Sequence, residues 1–205
     1  MEKFLVIFYK LIGSIYIPHF LKHREEPILL HISDTPSIFL SVLNRFIKRL
    51  NPEYIIHTGD LVDNIKLELF PRSIDRYRMY LKKLLRDLNN SKAKEIYVSL
   101  GNHDDLDSVS EYCGRINIIE EFEKVEIEGL EFGISHYSSI LEKNPSEFNL
   151  FGHNLDIGNE TIGEKWYLNG IKGINIVMLK SRKIVILPYP LGIDEHRLKR
   201  GKMKI

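Results

Sequence analysis

Ile96-Tyr97-Val98-Ser99-Leu100-Gly101-Asn102-His103-Asp104 joins an apolar strand to a glycine turn and to side chains that can ligate a metal. Two earlier apolar runs end in a similar way, since Ile28–Ile32 leads into Ser33-Asp34 and Tyr54–Thr58 leads into Gly59-Asp60. Later strands lead into His136 and into Gly152-His153. The carboxyl ends of strands converge in sheet-based α/β proteins, and a glycine permits the sharp turn that follows each strand. The sequence therefore predicts one pocket built from residues far apart in the chain.

Strands and helices alternate around these runs, which is typical of a sheet flanked by helices. Ser37–Leu50 predicts a helix whose apolar stripe comprises Ile38, Phe39, Val42, Leu43, Phe46, Ile47 and Leu50. Pro71–Leu88 predicts a second helix, with an inward face of Ile74, Tyr77, Leu81, Leu84, Leu85 and Leu88. The second half of the chain predicts hairpins, formed by Phe122–Ile127 with Leu130–Ser135 and by Ile171–Leu179 with Lys183–Leu187. We therefore predict an α/β fold in which two sheets pack as a β-sandwich flanked by helices.

The composition limits the class of protein. The chain has 205 residues, with 29 Lys and Arg against 28 Asp and Glu, eight histidines and one cysteine. A near-zero net charge argues against a protein that holds nucleic acid by bulk electrostatics. Cys113 alone forms neither an intrachain disulfide nor a cysteine-cage zinc site, and we expect a cytoplasmic protein. The histidines leave open a metal site of nitrogen and oxygen ligands.

The two ends of the chain differ from its centre. Residues 4–17 are mostly apolar but shorter than the roughly 20 residues that span a bilayer. We interpret residues 1–26 as an apolar extension that packs on the body or on another subunit of a homo-oligomer, with a peripheral membrane anchor as the alternative. Residues 27–190 form the predicted main domain, and residues 191–205 a basic C-terminal tail. Within that tail Arg197–Lys204 is expected to be solvated and frayed, with a phosphate-binding arm as the alternative.

Together the polar motifs resemble the calcineurin-like metallophosphoesterase superfamily. The resemblance rests on His31-Ile-Ser-Asp34, Gly59-Asp60-Leu-Val-Asp63, Gly101-Asn102-His103-Asp104, His136 and Gly152-His153, in this order. It implies a β-sandwich flanked by helices, which agrees with the pattern of strands and helices. It also implies that two divalent metals share one aspartate and a hydroxide, which attacks the phosphorus of a phosphate ester.

The resemblance assigns roles to particular residues. Asp60 becomes the bridging ligand, Asp34 a ligand of the first metal, and Asn102, His136 and His153 ligands of the second. His103 donates a proton to the leaving oxygen or stabilises the phosphoryl charge, and Asp104 orients it. A carboxylate, an amide oxygen and two imidazoles suit Mn, Fe or Zn rather than Ca.

The chain departs from the family pattern at the first metal. The opening motif Asp-X-His reads Asp34-Thr35-Pro36, and the closing motif Gly-His-X-His reads Gly152-His153-Asn154-Leu155. Both missing histidines would serve the same ion, so we expect one firmly bound metal and a second that is weak or absent. His31, His57, Asp63 and Asp156 lie near the motifs, although core packing or loop hydrogen bonding is their simpler role.

The leading hypothesis is a metal-dependent phosphoesterase that hydrolyses phosphomonoesters or phosphodiesters with one intact metal site and one degraded site. The alternative is a noncatalytic ligand-binding or interaction protein on the same fold that has lost turnover. A nuclease is less favoured, because the chain is short and its net charge is close to zero.

Overall fold

The computed structural model describes residues 2–198, and its strands form two sheets that pack face to face. The strands are β1 Ile28–Ile32, β2 Tyr54–Thr58, β3 Glu95–Ser99, β4 Asn117–Ile119, β5 Phe122–Ile127, β6 Leu130–Ser135, β7 Phe148–Phe151, β8 Glu160–Ile162, β9 Lys165–Asn169, β10 Ile174–Met178 and β11 Ile184–Leu187. The first sheet has the order β11-β10-β1-β2-β3-β4, and the second has the order β5-β6-β7-β9-β8. The predicted α/β sandwich is therefore confirmed.

Helices cover the outer faces of the sheets. They are α1 Glu2–Leu11, α2 His19–Lys22, α3 Leu40–Leu50, α4 Ile74–Asn89, α5 Leu106–Tyr112, α6 Ser138–Lys143 and α7 Ile193–Leu198. Short 3₁₀ turns at Ser37–Phe39 and Pro71–Ser73 precede α3 and α4. In the first sheet β1, β2, β3 and β4 are parallel, β10 pairs antiparallel with β1, and β11 pairs antiparallel with β10. This order places β1, β2 and β3, which carry the motifs, next to one another.

The strand β1 is buried on both faces, which explains its uninterrupted apolar sequence. Leu29 faces the second sheet, where it joins Ile56, Phe132 and Phe148 in the core between the two sheets. Leu30 faces the other way and packs in the core beneath α3 and α4. Successive side chains of a strand point to opposite faces, so one short run contributes to two cores.

The helical stripes were predicted well except at their first residues. In α4 the predicted inward residues Tyr77, Leu81, Leu84, Leu85 and Leu88 are all buried. Ile38 is 57% exposed, which contradicts its predicted place in the apolar stripe of Ser37–Leu50. Ile38 lies in the 3₁₀ turn, whose tighter winding of about three residues per turn rotates it away from the face that α3 buries.

The N-terminal extension divides into two parts. Helix α1 buries no residue, and Phe4 and Leu11 are among its exposed apolar side chains. Ile15, Ile17 and Leu21, in contrast, are buried in the core beneath α3 and α4. Residues 15–21 thus pack on the body, whereas α1 contacts it only partly, for example where the Lys10 carbonyl accepts a hydrogen bond from the Leu191 N–H at 3.1 Å. No helix within residues 2–198 is long and apolar enough to cross a membrane.

The expected solvated tail is wrong at Arg197. This residue lies in α7, and only 2% of its surface is exposed. Tail residues 199–205 lie outside the described residues.

Two histidines near the motifs belong to the core instead of the pocket. The imidazole of His31 accepts a hydrogen bond at Nδ1 from the Asn175 amide at 3.2 Å, while Nε2 lies 3.0 Å from the Thr58 hydroxyl. His57 Nε2 lies 2.8 Å from the hydroxyl of Thr35. Burial lowers the pKa of both histidines to about 3. Both rings are therefore neutral at neutral pH.

Stability is expected to fall on acidification. Below pH 6.5, the ordinary pKa of histidine, His31 and His57 become protonated in the unfolded chain but stay neutral in the folded protein. Each histidine then lowers the free energy of unfolding by about 1.4 kcal/mol per pH unit between its unfolded and folded pKa values. We expect His57→Gln to reduce this slope by about one proton equivalent, measured by urea unfolding between about pH 4.5 and 6.5. The exposed His23→Gln serves as the control, and a parental slope in His57→Gln contradicts the assignment.

Candidate metal centre

The pocket forms where the ends of three parallel strands meet the ends of two strands from the other sheet. β1, β2 and β3 are parallel neighbours, so Asp34, Asp60 and Asn102, which follow them, reach the same edge of the first sheet. In the second sheet β6 and β7 are also parallel, and they lead into His136 and His153. The structure thus brings the five predicted metal ligands to one junction of the two sheets.

Three of these residues have an unusual backbone conformation. Asp34, Asp60 and His153 have φ angles of 50°, 53° and 59°, in the left-handed region that side chains rarely adopt. The adjoining Gly101 and Gly152 are also required, because a Cβ there would clash with the carboxylates of Asp60 and Asp34 respectively. Strained backbone of this kind concentrates at functional sites, where it aims side chains at a common point.

One cluster is formed by Asp60, His136 and His153, whose ligating atoms lie within 4.8 Å of one another. His136 Nδ1 donates a hydrogen bond to the carbonyl oxygen of Thr58 at 2.6 Å. Because Nδ1 carries the proton, Nε2 keeps its lone pair, and it lies 3.7 Å from Oδ2 of Asp60. A carbonyl that fixes the ring in this way is the usual support of a metal-ligating histidine.

The residues of the pocket fit a divalent cation. Among the described residues, two buried lone-pair atoms of the predicted ligands have no hydrogen-bond partner: Nε2 of His136 and Oδ1 of Asn102. The Asn102 amide nitrogen donates to Glu68, which leaves the amide oxygen as the free atom. Buried polar atoms are almost always paired, so two unpaired acceptors beside the Asp60 carboxylate fit a bound cation. Imidazole nitrogen together with carboxylate and amide oxygen suits Mn, Fe or Zn.

The cluster opens into a cleft of about 530 Å³. Acidic, basic and apolar side chains share its wall, which is lined by Asp34, Asp60, Asp63, Lys66, Glu68, Leu69, Asn102, His103, His153, Leu155, Ile171 and Arg197. Pockets of this volume are typical of small-molecule sites.

A family model described as calcineurin-like phosphoesterase matches residues 28–194. The chain belongs to this family. The match begins at β1 and ends within α7, so it includes every motif on which the resemblance rests.

Solved structures of similar fold support the same architecture. An archaeal phosphodiesterase is 22% identical, with a TM-score of 0.56 over 78% of this chain and 99% of its own. The phosphoesterase Yfce from E. coli is 14% identical, with a TM-score of 0.51 over 78% of this chain and 99% of its own. No curated protein sequence matches the chain. At these identities the likeness establishes the fold alone.

In this calcineurin-like phosphoesterase, Pro36 and Leu155 stand where the resemblance expects histidines. Pro36 is buried, and Leu155 lines the cleft as an apolar side chain. Among the other candidates His31 and His57 are held in the core, and Asp156 is exposed. None of these three lines the cleft.

Asp63 does reach the cleft. Its carboxylate forms a second cluster with Asp60 and His103, again with the ligating atoms within 4.8 Å of one another. Lys66 forms an ion pair with Asp63, and Nδ1 of His103 lies 3.7 Å from Oε2 of Glu68. From the sequence alone, core packing or loop hydrogen bonding is the simpler role of Asp63, because one further aspartate in a loop carries no specific signal.

Clustered carboxylates shape the electrostatics of the pocket. Burial raises the pKa of Asp60 well above its ordinary range, and the carboxylates of Asp34, Asp104 and Asp63 raise it further. Burial, followed by the charge of Lys66, lowers the pKa of His103 to about 4. Burial also lowers the pKa of His153. The pocket thus combines carboxylates that repel one another with imidazoles that are neutral, and both conditions favour a bound cation.

Among the described residues, the Asp104 side chain makes no hydrogen bond to His103. Its buried carboxylate accepts hydrogen bonds from the backbone N–H groups of Asp60, Leu61 and Gly101 at 2.8, 2.9 and 2.9 Å. The Tyr77 hydroxyl donates a fourth bond at 2.9 Å. Asp104 therefore ties the loops after β2 and β3 together and acts on His103 only through the backbone.

Asp104→Asn is expected to lower the free energy of unfolding by about 2–3 kcal/mol, because an amide offers one acceptor oxygen where the loop needs two. Urea unfolding measures the change. Asp107→Asn, at an exposed position in the next helix, provides the matched control. Unchanged stability in Asp104→Asn, with only the activity altered, would restore the orienting role.

Proposed function

We propose that this protein is a metal-dependent phosphoesterase with one firmly held divalent ion and one degraded metal site. The observation that carries the proposal is the pair of buried, unpartnered acceptors on His136 and Asn102 beside the carboxylate of Asp60. A fold on which phosphoesterases are built, together with a cleft that opens from this cluster, supports the same conclusion.

The proposal assigns each residue a physical task. Asp60, Asn102, His136 and His153 hold the ion, and the Thr58 carbonyl keeps His136 in the tautomer that ligates. The bound ion supplies polarisation of the phosphoryl oxygen and lowers the pKa of a water molecule. Burial and the charge of Lys66 lower the pKa of His103 to about 4, an effect that Asp63 and Glu68 partly oppose. A phosphoryl anion bound beside the ring raises this pKa, and the protonated ring then donates its proton to the leaving oxygen.

Phosphodiesters are the first substrate class to test, and phosphomonoesters are the second. The archaeal neighbour is a phosphodiesterase, which makes diesters the natural first choice. The cleft is open, and its acidic side chains disfavour a dianionic monoester more than a singly charged diester.

A noncatalytic binding protein is the alternative function, and two observations favour it. Pro36 and Leu155 remove two side-chain ligands from one ion. Helix α1 and the turn after it also expose apolar side chains that suit contact with another subunit or a membrane surface, namely Phe4, Ile7, Phe8, Leu11 and Ile12. We propose a cytoplasmic location, which suits a chain whose lone cysteine, Cys113, forms no intrachain disulfide.

Hydrolysis of an aryl phosphodiester with Mn²⁺ tests the leading proposal. We expect turnover that chelation abolishes and Mn²⁺ restores. His103→Ala should lower kcat by roughly a hundredfold or more, because it removes the proton donor. The exposed His23→Ala serves as the matched control and should retain the parental rate. Equal trace rates in the parent and in His103→Ala, for both the diester and the corresponding monoester, would favour the noncatalytic alternative.

The number of bound ions tests the degraded site. After dialysis against Mn²⁺, elemental analysis should find about one ion per chain in the parent and much less in His136→Ala, which loses an imidazole ligand. Pro36→His combined with Leu155→His should raise the number toward two, since both ligands are returned to the same ion. A second tight ion in the parent, or none gained by the double variant, would contradict the assignment of the deficit to these two positions.

A further inference from the structure

Arg197 occupies a position that the proposed metal chemistry does not explain. It lies on α7, its side chain is fully buried, and it lines the cleft together with Asp34, Leu155 and Ile171. The guanidinium carbon lies 4.1 Å from the centre of the Tyr189 ring, and Nη1 donates to the Ile171 carbonyl at 3.1 Å. The Tyr189 hydroxyl is itself held by the Gly170 carbonyl at 2.7 Å. These contacts hold the guanidinium in one orientation.

The remaining edge of the guanidinium is unpaired. Nε and Nη2 are buried, and neither has a hydrogen-bond partner among the described residues. The nearest carboxylate is that of the exposed Asp194, whose Oδ1 lies 3.7 Å from Nε, close enough for a weak ion pair but too far for a hydrogen bond. The Ile171 carbonyl and the Tyr189 ring satisfy part of this buried charge, and an anion at Nε and Nη2 would complete it.

The carboxylates of the pocket do not pair with the free edge of the Arg197 guanidinium. Within residues 2–198, no oxygen of Asp34 or Asp60 lies within the 4.0 Å limit of an ion pair with Arg197. Lys66, the other cation in the wall of the cleft, already pairs with Asp63. The unpaired edge of Arg197 is thus left for a group that enters the cleft from outside.

The chemistry of that edge selects the kind of group. Nε and Nη2 carry parallel N–H bonds, which match two oxygens of a phosphoryl group. Leu155, one of the two residues that replace an expected histidine, lines the same cleft. A fixed positive charge here can neutralise phosphoryl charge where the first metal has lost two ligands.

We propose that Arg197 is a phosphate-binding residue that grips two phosphoryl oxygens of the substrate through Nε and Nη2. The proposal rests on the proposed phosphoesterase function, since it names the residue that receives the substrate's phosphoryl group. It also revises the expected role of the C-terminal segment, whose first basic residue is part of the cleft instead of a solvated tail.

Titration of inorganic phosphate into the full-length protein in the presence of Mn²⁺, followed by calorimetry, tests the proposal without any turnover. Arg197→Gln should weaken phosphate binding by about tenfold or more, because it removes a charge-assisted pair of hydrogen bonds. Arg197→Lys keeps the charge but loses the parallel donors, and its affinity should fall between the two. Arg86→Gln, an exposed arginine on α4 outside the cleft, should bind phosphate as the parent does.

The outcomes separate this proposal from the phosphoesterase proposal. Parental phosphate affinity in Arg197→Gln, or no phosphate binding by the parent, would overturn the role of Arg197. If Arg197→Gln fails to fold, as shown by its thermal unfolding, parental affinity in Arg197→Lys would overturn it instead. Phosphate binding that depends on Arg197 in a protein without hydrolytic activity would sustain the binding site and reject the enzyme. Hydrolysis that requires His103 but is unchanged in Arg197→Gln would support the enzyme and reject Arg197 as the residue that binds the phosphoryl group.

Discussion

The buried carboxylate of Asp104 is the contact on which the pocket depends. It receives three backbone N–H groups from the loops after β2 and β3, and a hydroxyl from α4. A buried charge is tolerated only when such bonds satisfy it, so these loops have few alternative arrangements. One consequence is the left-handed conformation of Asp60, whose backbone N–H points to Asp104 while its carboxylate turns to the cleft. The hydrogen bonds that the Asp104 carboxylate accepts thus offset the backbone strain of Asp60.

A second set of bonds joins the two sheets at the same place. His136 comes from the second sheet and donates to the Thr58 carbonyl at the end of β2. The backbone N–H of His153 lies 3.3 Å from the Asp34 carboxylate at the end of β1. The pocket is therefore a junction, and its geometry requires both sheets to be packed. Each sheet alone supplies only part of the ligand set, which ties the chemistry of the site to the core of the sandwich.

Much of this arrangement was predictable from local patterns. Apolar runs located β1, β2 and the first hairpin to the residue, and the glycine-containing motifs located the side chains that converge. Short elements were missed: β8 has three residues, all exposed, and carries no periodic signal. Ile38 was misassigned because helical spacing does not distinguish a 3₁₀ turn from the helix that follows it. Local pattern is informative where burial repeats over several turns or strand residues, and it fails where an element is too short to repeat.

By itself, the sequence determined which ligand types follow which strands and that Pro36 and Leu155 interrupt the family motifs, because these facts depend on residue identity and order. Tertiary structure alone decided that Asp104 binds backbone amides about 40 residues away and that Asp63 joins the cleft. It also decided that Arg197 is buried beside them. In the sequence Arg197 begins a basic run that reads as solvated, yet packing against Tyr189 and Ile171 places it in the wall of the cleft. The chemistry of each residue follows from its identity and its neighbours in the chain. Its burial and its hydrogen-bond partners arise only when distant segments pack together.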